Sequence, residues 1–266
     1  MPDLSIIIVN YFTSSYLSKC LRTLYEHTKG LNFEVIIVDN SASPNELAKL
    51  KKLEKLYGSL KIIADSRNSG FGAGNNLGVK YAKVKYLLLL NPDTEIVDDS
   101  IGKMLKFLKY HKEIGALTCL LYQKDKKTLQ RAFFGKFQNL STLTIRRYNY
   151  QKVDIGQEFF YTDIVTGAAL MMKKSLYEKL DGFDERFFMY LEDDDLCKRL
   201  YDLGYKNAVL TTAKIIHYEG ASATKKTRSK YYFESQKLFF RKHNGLLATL
   251  ALRLLRFPYR LLRPYK

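Results

Sequence analysis

Tyr86-Leu-Leu-Leu-Leu-Asn-Pro-Asp93 is an oily run closed by a turn. Four consecutive leucines between turn signals predict a strand buried on both faces, as central parallel strands are. Pro92 cannot donate to a ladder and drives Asn91 out of helical geometry, so the strand stops there. Asp93 then stands at the carboxyl end of a central strand, where open α/β sheets bind their ligands. A carboxylate in that place either holds a cation, a metal ion above all, or caps the next helix.

The same handover repeats upstream. Leu4 to Val9, Phe33 to Val38 and Leu60 to Ala64 are apolar runs that predict strands. Between them lie helical patterns. One is capped by Ser14 or Ser15 and carries Leu17, Leu21 and Leu24. The next runs from Pro44 to about Tyr57 with Leu47, Leu50, Leu53 and Leu56 on one face. A third follows Asp98 or Asp99 and reaches about His111. The glycine-rich stretch Gly70–Gly78 reads as a loop leading into a helix that ends near Lys83. Its glycines allow a tight bend or a close backbone approach, and Arg67 just before it can meet a phosphate or a nucleobase. It is neither a dinucleotide fingerprint after the first strand nor a P-loop. Strand and helix alternate, so the first 120 residues predict a doubly wound, mainly parallel α/β sheet. Asn10, Asp39, Arg67 with Asn68, and Asp93 all follow strands. In a parallel sheet those ends share one edge, and a common crevice is expected.

Further on, Tyr122 to Tyr161 is basic and aromatic, with Phe133, Phe134, Phe137, Tyr148, Tyr150, Phe159 and Phe160. It reads as an irregular excursion, either an acceptor-binding lid or aromatic packing over the sheet edge. Thr162 to Met172 returns to a strand, with Gly167-Ala-Ala small enough for ligand contact. Four acids in a row, Glu192 to Asp195, begin a helix with Leu196, Leu200 and Leu203 on its apolar face. Like charges repel, and a helix N-terminus lowers that cost. The oily Phe187-Phe-Met-Tyr-Leu191 before them puts the acids at the rim of something buried, where a catalytic carboxylate can be tuned. After a short strand near Ala208–Leu210, His217 ends an apolar run as Asp93 does. A histidine nitrogen beside a carboxylate oxygen suits a borderline ion such as manganese.

Composition narrows the class. The chain has 266 residues and is 46% apolar, enough for a full core. Three scattered cysteines form no metal pair and no disulfide framework, and a reducing compartment is expected. No signal peptide and no run of ~20 apolar residues is visible. The net charge is +17, and Lys225 to Lys266 holds twelve Lys and Arg against the single acid Glu234. The rest is only mildly basic, so charge alone does not point to nucleic acid. In that tail, helices are expected at about 229–243 and 246–262. Arg253, Arg256, Arg260 and Arg263 fall on one face, with Leu247, Leu250, Leu254 and Leu261 largely opposite. Such a helix either lies in an anionic membrane surface or packs on the domain with a basic outer side.

Taken together, Ile8-Val-Asn-Tyr11, Val38-Asp-Asn40, Arg67-Asn-Ser-Gly-Phe-Gly-Ala-Gly-Asn75, Leu89-Leu-Asn-Pro-Asp93, Gly167-Ala-Ala169, Phe188-Met-Tyr-Leu-Glu-Asp-Asp-Asp195 and His217 resemble, in order, the inverting GT-A glycosyltransferases of family 2, in their rhamnosyltransferase-like branch. The resemblance implies a catalytic domain over 1–222, with a nucleotide-binding half to about 120 and an acceptor half beyond it, then a basic helical tail over 223–266. It implies a nucleotide-sugar donor, a glycan or lipid-linked acceptor, Mn2+ or Mg2+, and a cytoplasmic protein peripheral to the inner membrane face. By analogy Asp39 meets the nucleotide base with Arg67 assisting. Asp93 and His217 hold the metal, and Asp193, or its neighbour Asp194, is the general base. Asn10, Asn68, Gly70, Asn75, Asn91, Gly167, Ala168 and Glu192 complete the expected substrate contacts. Asn91 stands where the family's metal motif often has a first Asp, so one charge is missing. A non-catalytic protein that binds nucleic acid or a membrane surface on an α/β scaffold is the competing class.

Overall fold

A computed structural model describes residues 2–130, 133–144, 155–218 and 225–262. The elements run β1 (Leu4–Asn10), α1 (Ser14–His27), β2 (Phe33–Asp39), α2 (Pro44–Glu54), β3 (Leu60–Ala64), α3 (Phe71–Val79), β4 (Tyr86–Leu90), β5 (Thr94–Ile96), α4 (Ser100–Tyr110) and β6 (Ile114–Tyr122). They continue with β7 (Phe134–Gly135), α5 (Leu140–Thr144), β8 (Phe159–Thr162), β9 (Ile164–Val165), β10 (Ala169–Lys173), α6 (Lys174–Lys179), α7 (Glu192–Asp202), β11 (Lys206–His217), α8 (Lys225–His243) and α9 (Gly245–Leu262).

The main sheet follows the order β3-β2-β1-β4-β10-β6-β11-β5, with β8 on β11. The first four strands are parallel, as the oily runs predicted. β10 then enters antiparallel between β4 and β6, so the sheet is mixed at its middle. Leu87 to Leu90 are all buried there. Each contributes about 2 kcal/mol by leaving water.

Several local readings change. The glycine-rich stretch is no loop: α3 begins at Phe71 and runs through it. A Cβ on Gly74 would lie 2.9 Å from Val9 Cγ1, and one on Gly78 would lie 2.5 Å from Ile7 Cγ2. These glycines let a helix press onto the sheet, a use that local sequence does not distinguish from a bend. Serine does not cap α1. Thr13 is the N-cap, and the Ser14 N–H and hydroxyl donate to Glu46 of α2. α2 stops at Glu54, which leaves Leu56 72% exposed. α7 stops at Asp202, so Leu203 is exposed too. The run from Thr162 to Met172 is broken into β9, a turn at Gly167–Ala168, and β10. The two short strands expected near Ala208 and His217 are one strand with a bulge between Leu210 and Lys214. Phe133, Phe134 and Phe160 are buried, so this part of the aromatic excursion is core. Tyr148, Tyr150, Arg263 and the residues just past Tyr218 lie outside the described residues.

α8 and α9 build a second, small core. Phe239, Phe240 and Leu252 pack with Phe187 and Leu191, the turn just before α7. Leu247, Leu250 and Leu254 face outward, and Leu252 rather than these is buried.

Candidate active site

At the end of β4 the chain turns through Asn91-Pro92-Asp93 and re-enters the sheet as β5. Thr94 pairs with His217 of β11, and the Tyr218 N–H donates to the Asp93 carbonyl at 2.9 Å. That register sets His217 Nε2 3.2 Å from Asp93 Oδ1. Gln130, which the motif reading missed, fixes the imidazole. Its Nε2 donates to the His217 carbonyl at 2.7 Å, so its Oε1 faces His217 Nδ1 at 3.1 Å and accepts that proton. The other ring nitrogen, Nε2, then points toward Asp93 and toward Asn91 Nδ2 at 3.2 Å. A ring nitrogen and a carboxylate oxygen face each other there, a donor set that suits a divalent cation. Among the described residues no three His, Cys, Asp or Glu side chains form a closed cage. A cation held by this pair would take its remaining ligands from substrate phosphate and water, as such ions commonly do.

The acidic run sits on the N-terminus of α7. Tyr190 and Leu191 precede it with φ of 72° and 64°, in the left-handed region that side chains avoid. Packing holds them: the Phe188 carbonyl accepts from Phe71 N, and Ser235 donates to the Met189 carbonyl. The four acids fall into three kinds of surroundings. Asp193 is half-buried. Its Oδ2 accepts from Gly167 N at 2.8 Å and its Oδ1 from Asp194 N at 3.0 Å, while burial raises its pKa above the usual carboxylate range. Glu192 and Asp194 are buried, and desolvation, then the Asp193 charge, push both well up. Burial would raise Asp195 too, but His243, Arg199 and Lys242 outweigh it and hold it low. Asp195 is therefore the pin that ties α8 to α7: His243 Nε2 and Lys242 Nζ lie 2.7 and 2.6 Å from its Oδ1.

A cavity of about 710 Å³ joins these two ends. Asn91, Asp93 and His217 line it, as do Gly167, Ala168, Glu192, Asp193 and Asp194. Asn68 and Gly70 line it as well, with Asn40, Thr13, Tyr11 and Phe71. Gly70 is required there: its φ is +93°, and a Cβ would meet the Phe188 carbonyl oxygen at 2.2 Å. Asn10, Asp39, Arg67 and Asn75 are not on its wall. Asn10 Nδ2 donates to Asp39 Oδ1, and Asn10 Oδ1 accepts from Thr13, so this pair braces the floor. Asn75 is buried in α3 and donates to the Phe71 carbonyl. Arg67 is exposed, beyond the wall.

None of the described residues between Tyr122 and Tyr161 lines the cavity; α8 does, through Arg228, Ser229, Tyr232 and Phe233. Those residues were read as part of a basic tail. The aromatic run Tyr231-Tyr-Phe233 among the lysines was the available signal that this helix faces something other than water.

The sequence model of glycosyl transferase family 2 matches residues 5–181, and that of the N-terminal domain of galactosyltransferase matches 146–222. The chain is 30% identical to rhamnosyltransferase WbbL of Escherichia coli K12, over 80% of this chain and 82% of that one. It is 23% identical to an N-acetylglucosaminyl-diphospho-decaprenol L-rhamnosyltransferase of Mycobacterium tuberculosis, over 82% and 77% of the two chains. Among solved structures, mannosyltransferase PcManGT of Pyrobaculum calidifontis, in complex with GDP-Man and Mn2+, superposes with a TM-score of 0.68 at 16% identity. The superposition covers 91% of this chain and 66% of that one, and it concerns the fold, which is GT-A.

Proposed function

The chain belongs to glycosyl transferase family 2 and is a glycosyltransferase, and we propose that it moves rhamnose or another hexose from a nucleotide-sugar to a hydroxyl of a lipid-linked or cell-surface glycan, with inversion and with Mn2+ or Mg2+. One observation carries this reading: the Asp193 carboxylate, anchored by the Gly167 N–H, opens into the same cavity as the Asp93–His217 pair.

Asp93 and His217 would hold the cation against the diphosphate, where it would neutralise charge on the leaving group. Asn91 supplies an amide where a second acid is absent. Asn68 and Gly70 present polar backbone and side-chain atoms to the nucleotide end. At the opposite end Asp193 takes the proton from the acceptor hydroxyl as that oxygen attacks the anomeric carbon. Its raised basicity suits that task, because a carboxylate with a higher pKa is the stronger base. The Gly167 and Asp194 N–H groups hold it in one orientation. One displacement with one base inverts the centre, and no second carboxylate nucleophile is required.

The exposed leucines of α9 with its arginines fit an anionic membrane surface, where a lipid-linked acceptor resides. Among the described residues no helix is long and apolar enough to cross a membrane.

The test is a donor screen with dTDP-, UDP- and GDP-sugars, read as sugar transfer and as Mn2+-dependent stabilisation by the matching nucleoside diphosphate. Stabilisation without transfer from any donor, or neither effect, would defeat the proposal.

A further inference from the structure

We propose that Asp195 and His243 are positioning residues for the reaction: their contact clamps α8 onto the turn before α7, and that clamp fixes where the Asp193 carboxylate sits. This rests on the transferase reading above. Successive helical residues turn by about 100°, so Asp195 lies nearly opposite Asp193 on α7. Asp193 lines the cavity and Asp195 does not. Asp195 is 0% exposed, and its carboxylate is fully paired. Oδ1 takes His243 and Lys242 of α8, and Oδ2 accepts from Arg199 Nε at 2.8 Å. Lys242 also reaches Asp184 at 2.7 Å, and Arg199 donates to the Leu180 and Gly182 carbonyls at 2.7 and 2.8 Å. One buried carboxylate thus joins α7, α8 and the loop between α6 and α7. A buried charge is tolerated only when paired, so releasing a partner on α8 loosens the whole joint.

The clamp bears on a strained segment. Tyr190 and Leu191 both have left-handed backbones, and Leu191 gives α7 no side-chain cap. Such a pair persists only where its surroundings hold it. One face of α8 does so, through Tyr231, Ser235, Phe239 and His243, four residues apart each time. The Tyr231 ring lies 4.6 Å from that of Phe188, and the Ser235 hydroxyl donates to the Met189 carbonyl at 2.8 Å. Phe239 packs with Phe187 and Leu191, and His243 ends on Asp195. The Asp195 N–H donates back to the Leu191 carbonyl at 2.9 Å, so the residue that binds α8 also closes the first turn of α7. Asp193 sits in that turn, held between the Asp194 and Gly167 N–H groups. If α8 lifts, the turn relaxes, α7 shifts against Gly167, and water reaches a carboxylate that burial now keeps basic. Tyrosines aside, the titratable and charged groups that line the cavity with Asp193 are Glu192, Asp194, Asp93, His217 and Arg228. His243 and Ser235 are outside that set. Loss of positive charge at His243 would by itself raise Asp193, so a fall marks repositioning.

The test reads Asp193 directly and needs no turnover. Carbon-13 NMR of the full chain, labelled at aspartate carboxyl carbons, follows its titration, and Asp193→Asn identifies its resonance. Two variants are compared with the unaltered protein. His243→Gln breaks the pin; Ser235→Ala leaves the ion pairs intact and frees only the Met189 carbonyl. In both, the Asp193 midpoint is expected to fall toward the usual ~4. With the substrates that the donor screen identifies, kcat is expected to drop about ten- to a hundredfold in His243→Gln and about three- to tenfold in Ser235→Ala. The affinity for nucleoside diphosphate with Mn2+ should not move. A pin that only stabilises the fold would lower Tm and leave the midpoint and kcat of the folded protein unchanged, and that result would overturn the proposal. So would a nucleoside diphosphate affinity that falls as far as kcat. A midpoint that falls as expected, in a protein that transfers no sugar from any donor, would count against the transferase reading alone.

Discussion

Thr94 and His217 pair across β5 and β11, and that register brings Asp93 and the imidazole to 3.2 Å although 124 positions separate them in the chain. The ring's tautomer is set by Gln130, whose Oε1 faces Nδ1. Replacing Gln130 by Leu is expected to weaken Mn2+ about 10- to 100-fold, the usual cost of losing such an outer partner. Metal titration followed by stabilisation with nucleoside diphosphate measures it. Unchanged Mn2+ affinity would separate His217 from the metal.

Asp193 and Asp194 differ enough to be told apart. Asp193→Asn is expected to lower kcat by about 10²- to 10⁴-fold, the worth of a general base, while donor binding persists. Asp194 is buried, and its Oδ2 has no hydrogen-bond partner among the described residues. Asp194→Asn should keep most of the activity and stabilise the fold at neutral pH by about 1 kcal/mol, or roughly 2–4 °C in Tm. The reverse pattern would hand the base role to Asp194.

Activity and stability should part company in acid. A base works ionised, and burial raises Asp193, so kcat at saturating donor and metal is lost as pH falls through a value above the usual ~4. Asp195 is held low by His243, Arg199 and Lys242. Its stabilisation is present above the unfolded value and is lost only as pH falls through the lower folded one. Between the two the protein is folded and inactive. A pH–rate profile beside melting curves checks this; a single shared acid midpoint would refute it.

Gly78 is where α3 touches β1. Gly78→Ala would put a Cβ 2.5 Å from Ile7 Cγ2 and 3.2 Å from Val38 Cγ2, and should cost about 1–3 kcal/mol in denaturant unfolding. Gly58→Ala, with open space around it, serves as the control and should change little.

For the membrane surface, point substitutions are preferable to truncation. Leu252 is buried and Arg256 packs on Phe233, so deleting α9 would strip the second core. Leu247→Gln with Leu254→Gln removes two side chains that are 84% and 75% exposed. Binding to vesicles rich in anionic lipid should drop about tenfold or more, with Tm unchanged. Vesicle binding as strong as that of the unaltered chain would sink the proposal.

Much of the scaffold was legible because its signals are local. A run such as Leu87–Leu90 reports burial on both faces, and Pro92 reports an end, whatever the rest of the chain does. The stretch now seen as α3 reads as a loop from sequence, with a bend and a close approach both left open, because Gly permits either, and only Ile7 and Val9 opposite settle which. The strand at Lys206–His217 looked like two because its bulge interrupts the pattern where β8 gives way to β5 as its partner.

The sequence by itself determined the alternating α/β order, the strand ends that carry polar groups, and the acidic start of α7, since each depends on near neighbours and on periodicity. Tertiary structure alone decided which of those groups face the cavity, how four adjacent acids acquire different environments, and that a helix from the basic tail supplies one wall. Those outcomes depend on contacts between residues distant in the chain, such as His243 with Asp195 or Gly167 with Asp193, and no local pattern encodes them.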